Sequence, residues 1–534
     1  MGTPGEGNMA GDRMGNVILI SLDTLRYDSV GASPDKGHLA AWGAEGEVHT
    51  PNLDRFLAEC VYFTGARTTA PYTTAAHASA MTGLAPNRHG VRAFYKWALA
   101  EGVGTLAEEL RARGYHTVAV QESGETTALR TGSGVLRGFD AFFRDEREAC
   151  AHCAAGSGPC LLFVHTFDVH APYCWSALDP EDGAPEWHEA VGRAMRRLGR
   201  RLPDGALAGD KTRLQGWVAR EATRAMGGQG AAQLMLEWYL SGVRRFDMWR
   251  WPRILRALRE AGLYDGALTI VFADHGEALL PDCEGEPMGH ATSVLEDAVR
   301  VPLALHGPGL QARRDPSPAS LVDMVPTVLD WLGMEPTVVG AGGDLDGQSL
   351  LQGPRDSGAG RALFAEAWQA IGPTGRAAPG DAMLLRHVEG PVRPYQLCAV
   401  EGPHKVTWHP GVPVLRRFMS RRQLARAVLR RSARRFLPGP LLRLRRRLRR
   451  RAGVAPEQTW GWHPAPTFAV DLREDPLELR PRPVPADSVE RPVAALLALM
   501  RDYWQRGVIG RPIRLDAADD RQVLQHLRGL GYVE

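Results

Sequence analysis

Two apolar runs in this chain stop abruptly at acidic residues. Val17–Leu22 runs into Asp23, and Leu268–Ala273 runs into Asp274-His275-Gly276-Glu277. An unbroken apolar run of that length is what a strand covered on both faces looks like, and such strands belong to parallel sheets. The segments between carry helix signals. Thr50-Pro51 offers an N-cap followed by Pro at the first helical position, with Leu53, Phe56, Leu57 and Cys60 on one face. Thr105 and Glu108 form a capping box ahead of Leu106, Ala107 and Leu110, and Gly114 ends that helix. His116–Val120 and Leu161–Phe167 read as further strands. Ile254, Leu255 and Leu258 mark a helix closed by Gly262, and Val322–Leu332 another before Gly333. This β-α-β rhythm predicts an α/β fold: a large, mostly parallel sheet with helices on both faces.

The rhythm spans residues 14–353. Within it, residues 174–235 are polar and weakly periodic, which predicts a helical insertion or lid. Residues 354–534 read as a smaller α+β subdomain. Tyr395–Val400, Lys405–Trp408 and Thr467–Leu472 are its strands, and Val489–Trp504 and Ala517–Leu530 its helices. An arginine-rich insertion over 411–455 interrupts it.

Charge is distributed unevenly. The chain of 534 residues carries a net +3, yet sixteen arginines and no acidic residue lie between Arg416 and Arg451. Without them the body holds 48 basic against 61 acidic residues. An acidic body excludes a protein that binds nucleic acid over its whole surface. Within the strip, Leu415, Phe418 and Met419, then Leu424, Val428 and Leu429, then Leu441, Leu444 and Leu448 recur near helical spacing. Two basic amphipathic helices would lie on an anionic membrane surface, with Arg416, Arg430 and Arg446 among the contacts. A solvated insertion is the alternative. Only Phe418 and Phe436 interleave the arginines, so nucleic acid is not the expected partner. No apolar run is long enough to span a bilayer, and the polar Met1–Gly15 has no signal-peptide core. The expected location is cytoplasmic, peripheral at the membrane if the strip docks there. Seven sparse cysteines argue against a disulfide framework. Cys150, Cys153 and Cys160 have a zinc-like spacing, but no fourth ligand is evident, so unpaired loop thiols are expected.

Sites in open α/β sheets form beyond the carboxyl ends of strands. Asp23, Asp274 and His275 would stand there, and two carboxylates with an imidazole suit a divalent cation. Taken singly, Asp23 would serve equally as a helix N-cap. The third element is the small-residue stretch Ala70–Val91, with a short helix starting near Thr73. A helix N-terminus attracts anions, although small residues also serve close packing.

Together these stretches resemble the sulfatase family of the alkaline phosphatase superfamily. The resemblance rests on Ile20-Ser21-Leu22-Asp23-Thr24, on Thr73 through Thr82-Gly83, and on Asp168-Val169-His170-Ala171-Pro172-Tyr173. Asp274–Glu277, Gly289-His290, Arg300-Val301-Pro302-Leu303 and Asp323-Met324-Val325-Pro326-Thr327 follow in the family's order. It implies that Asp23, Thr73, Asp274 and His275 ligate one divalent metal ion (Ca, Mn, Mg or Zn). It further implies that Thr73 is the nucleophile, and that His170 and His290 bind the substrate's anionic oxygens or assist the leaving group. His77 stands where sulfatases have an arginine that supports the nucleophile.

Four positions depart from the family. Thr73, Ala75 and His77 replace the Cys/Ser-x-Pro-x-Arg motif, so no formylglycine is expected, and Thr24 replaces a second Asp. A formylglycine hydrate ejects sulfate by re-forming its aldehyde, whereas a Thr ester needs water attack at the same centre. The expected activity is therefore metal-dependent hydrolysis of small anionic esters, whether phosphate, phosphodiester, phosphonate or sulfate. The alternatives are phosphoryl transfer to a lipid or glycan head group, and a catalytically silent scaffold of the same fold.

Overall fold

The computed structural model describes most of the chain between residues 15 and 512. Outside the described residues lie 1–14, 93–96, 122–128, 175–184, 203–210, 280–289, 291–292, 341–343, 352–359, 369–393, 410–466, 513–534 and a few short gaps. The arginine-rich insertion, with Arg416, Arg430 and Arg446, and the expected helix Ala517–Leu530 fall there.

Fifteen strands occur among the described residues. They are β1 Val17–Leu22, β2 Val61–Arg67, β3 Trp97–Ala98, β4 His116–Gln121, β5 Ala141–Phe143, β6 Cys160–Thr166, β7 Leu268–Phe272, β8 Leu303–His306, β9 Arg313–Ser320, β10 Leu363–Trp368, β11 Pro394–Glu401, β12 His404–Trp408, β13 Thr467–Asp471, β14 Arg482–Val484 and β15 Arg511–Pro512. The large sheet has eight strands in the order β5-β4-β6-β1-β7-β8-β2-β9. β5 through β7 are parallel, and β8 alone runs against its neighbours.

β1 sits in the middle, and its alternate residues enter two separate cores. Ile18, Ile20 and Leu22 join one cluster, Val17 and Leu19 the other. That double burial is why the strand is apolar at every position but Ser21. The helices Pro51–Leu57, Glu146–Ala155, Pro185–Leu198, Lys211–Arg245 and Trp251–Glu260 pack on the first face. Thr73–Thr82, Leu106–Arg111 and Met324–Leu332 pack on the second.

The capping box forms as expected: Thr105 accepts from the Glu108 amide, and Glu108 accepts from the Thr105 amide. Thr50 behaves differently. Its side chain caps no helical amide, and instead accepts from Gly31 N–H at 2.7 Å.

The stretch after Cys174 is more ordered than its polarity suggests. Pro185–Leu198 and Lys211–Arg245, the latter kinked at Gly227, bury Trp187, Val191, Val218, Trp238 and Tyr239 against the first core. The helical segment runs on to Arg245, ten residues past the expected limit at 235.

The second sheet, β10-β11-β12-β13-β14, is antiparallel throughout and carries the helix Val493–Gln505 on one face. A short ribbon, β15 with β3, joins the two units. A buried cation also crosses between them. Lys405 Nζ on β12 lies 3.1 Å from Glu296 Oε1, 3.0 Å from Glu478 Oε1, and donates to Val294 O at 2.6 Å. Glu296 is also paired with Arg67 at 2.8 Å, but Glu478 relies on Lys405, and a buried charge left without its partner costs several kcal/mol. Lys405→Met is therefore expected to destabilise the protein by about 3–5 kcal/mol, read as a lowered midpoint in urea. An unchanged midpoint would contradict the burial of this cluster.

The cysteines correct one expectation. Cys150 and Cys153 lie on the helix Glu146–Ala155 rather than in a loop, and Cys153 is paired with Cys160 at the start of β6. Cys150 is a buried free thiol. Two of the three thiols expected to be unpaired are thus bonded to each other.

Candidate active site

Three adjacent strands deliver the site. Ser21 on β1 stands opposite His165 on β6 and Phe272 on β7, so all three strands end at one level. Asp23 follows β1, the Asp168–Tyr173 loop follows β6, and Asp274 and His275 follow β7. Asp23 is no helix cap: its Oδ2 accepts from His165 Nε2 at 3.1 Å and from Thr73 Oγ1 at 3.5 Å. The helix Thr73–Thr82 starts at the expected residue, and Gly83, in the left-handed region at φ 69°, ends it. Thr73 Oγ1 lies 3.4 Å from His275 Nε2. Thr73, Asp23, Asp274 and His275 are thus brought together, all buried.

The chemistry of these donors fits a divalent cation. Asp23 Oδ1 and Asp274 Oδ2 are fully enclosed and accept no hydrogen bond. Orphaned carboxylate oxygens in a protein interior are costly. His275 commits Nδ1–H to Gly276 O at 2.8 Å, so its Nε2 presents a lone pair. That lone pair faces Asp23 Oδ1 at 3.7 Å and Asp274 Oδ2 at 3.5 Å. Three electron-rich atoms converging without a proton between them repel, and a cation removes the repulsion. Burial, reinforced by the Asp23 charge, pushes the Asp274 carboxyl up to about 7. Burial also raises Asp23. It lowers the His275 imidazole to about 4, with help from His290.

His77 lies beneath Thr73. Its Nδ1–H donates to Thr73 O at 2.8 Å, and its Nε2 accepts from Ser21 Oγ at 2.8 Å. Burial holds it neutral, with its pKa near 3. His170 and His290 stand on the other side, their rings 5.2 Å apart, with His290 4.5 Å from the His275 ring. His290 Nδ1 donates to Glu277 Oε1 at 3.2 Å.

Sequence reasoning missed three contributors. His165 touches Asp23, Ser21 orients His77, and Glu277 holds His290. The available signal was a His and a Ser inside otherwise apolar strands, where a polar residue must have a buried partner.

The comparisons agree with this architecture. The Sulfatase family profile matches residues 15–153 and 150–334, more than half of the chain. The chain therefore belongs to the sulfatase family. It is 34% identical over 99 residues to arylsulfatase K of Danio rerio, covering 18% of this chain and 17% of that protein. It is 27% identical over 402 residues to steryl-sulfatase of Mus musculus, covering 60% and 62%. It thus spans about a sixth of the first relative's length and about three fifths of the second's. Among solved structures, a phosphonate monoester hydrolase from Silicibacter pomeroyi superposes with a TM-score of 0.53 at 18% identity, covering 92% of this chain and 94% of that one. A chain solved with its substrate D-glucosamine-2-N,6-O-disulfate gives 0.54 at 13% identity, covering 92% and 98%. These likenesses establish the alkaline-phosphatase-like sulfatase fold. Among the described residues no helix is long and apolar enough to cross a membrane.

Because His275 is already neutral, Asp274 is the group whose proton competes with a cation near neutrality. Mn²⁺ binding at pH 6 should therefore release about one proton, and the release should fade above pH 8. Calorimetry in buffers of different ionisation enthalpy measures it. Equal release at both pH values would contradict the raised carboxyl.

Proposed function

We propose that this chain is a metal-dependent ester hydrolase that uses Thr73 as its nucleophile. The observation that carries the reading is Thr73 Oγ1, which lies within 3.5 Å of both Asp23 and His275 at the first residue of a helix. Asp23, Asp274, His275 and Thr73 would hold one divalent cation, calcium, manganese, magnesium or zinc. When bound, such an ion lowers the cost of ionising a hydroxyl and offsets charge on the transferred group.

The chain's own residues do the rest. Asp23 Oδ2 accepts a hydrogen bond from the Thr73 hydroxyl at 3.5 Å and so orients it. The free amides of that first turn favour an anionic group beside Thr73. His77 fixes the backbone at Thr73 through its carbonyl, which keeps the hydroxyl from swinging out of line. His170 and His290 line the opposite wall and would bind the ester's oxygens. Glu277 accepts from His290 Nδ1 at 3.2 Å and so fixes the orientation of that ring.

Thr73 separates phosphorus from sulfur as substrate centre. It cannot form the aldehyde whose hydrate expels sulfate, so the enzyme ester must be cleaved by water. Phosphoryl-enzymes follow that course, so phosphate, phosphodiester and phosphonate esters are preferred over sulfate esters. The test is a panel of aryl esters of these four classes. Turnover of phosphorus esters is expected, and activity confined to sulfate esters would overturn the preference. Thr73→Ala should lose at least about 10³-fold in kcat while still binding Mn²⁺. Full turnover by that variant would remove Thr73 from the reaction.

A further inference from the structure

Thr24, which follows Asp23, is held in a costly backbone conformation. It is β-branched, yet its φ is +61°, a conformation that costs such a residue on the order of 1–3 kcal/mol. The twist aims Thr24 N–H at Asp274 Oδ1, 3.3 Å away. Something must hold the backbone there.

Tyr239, on the insertion helix Lys211–Arg245, does so from behind. Its hydroxyl donates to Thr24 O at 2.9 Å and accepts from Arg26 N–H at 2.8 Å. Its ring packs edge-on against Tyr173 at 5.3 Å, in the loop that carries His170. Arg26 extends the connection. It grips Asp28 through two bonds of 2.8 and 2.7 Å, and its Nη1 donates to Glu277 O at 2.8 Å. Arg26 and Tyr239 are 2% and 0% exposed. Between them they touch the loops after β1, β6 and β7, the three that supply the candidate ligands and histidines.

We propose that Tyr239 and Arg26 are positioning residues for the metal centre, and that the insertion carrying Tyr239 is a fixed brace rather than a lid. This rests on the metal-centre reading above. A lid opens by separating from the body. This helix instead buries Trp238, Tyr239 and Val243 in the same core as Ile18, Ile20 and Leu22 of β1. Its hydroxyl replaces the partners that a strained turn would otherwise lack. Neither residue meets the substrate, so their effect passes through Asp23, Asp274 and Glu277.

The test compares Tyr239→Phe, which removes one oxygen, with Val191→Ala. Val191 is buried in the neighbouring insertion helix and touches none of these bonds. Its loss of two methyl groups provides the control for simple destabilisation. Mn²⁺ affinity, measured by equilibrium dialysis, should fall at least fivefold in Y239F and stay within twofold in V191A. Unchanged affinity in Y239F, or an equal loss in both, overturns the proposal. If the unaltered protein binds no Mn²⁺, the metal-centre reading fails on its own terms. Amide hydrogen exchange over residues 24–28 then decides the brace separately. It should accelerate in Y239F and not in V191A, and equal exchange in all three proteins overturns it.

Discussion

Two carboxylates, Asp23 and Asp274, are enclosed side by side at the ends of neighbouring strands, and the rest of the site follows from keeping them there. Each buried oxygen that accepts no hydrogen bond raises the energy of the folded chain unless a cation or a proton joins it. The fold supplies the frame. β1 and β7 pair in register, so the residues after them emerge together. A shift of one residue would turn Ser21 and its neighbours to the opposite face and part the two carboxylates.

The neighbours of this pair divide by task. His275 brings a lone pair toward the carboxylates, and His165 satisfies the outer oxygen of Asp23. His77 lies a layer deeper and holds the main chain at Thr73. Every one of these imidazoles is kept neutral chiefly by burial. They therefore add no positive charge of their own, and charge compensation is left to a cation or a proton. In that setting a hydroxyl at residue 73 is held by geometry as much as by acidity.

What could be seen in the sequence was whatever leaves a local trace. The double burial of β1 and β7 forces unbroken apolar runs, so both strands and the acids that end them stand out. The capping box at Thr105 and the helix start at Thr73 are local signals too. β2 and β9 were not legible: Val61–Arg67 holds a glycine, and Arg313–Ser320 is charged, proline-containing and partly exposed. Neither carries an apolar run longer than three residues or clear alternation. Arg26 and Tyr239 were invisible as site residues for another reason. Their partners lie 251 and 215 positions away in the chain, so nothing near them in sequence marks the role. The insertion looked polar because its outer face is dense in arginine and glutamate, while its inner face buries tryptophan and tyrosine.

The most direct test of the centre is crystallographic. Crystals of the protein soaked in Mn²⁺ should give one strong anomalous peak within roughly 2.5 Å of oxygens of Asp23 and Asp274 and of His275 Nε2, with Thr73 Oγ1 beside it. A map with no peak there, or with manganese held by other side chains, would contradict the arrangement on which the catalytic account is built.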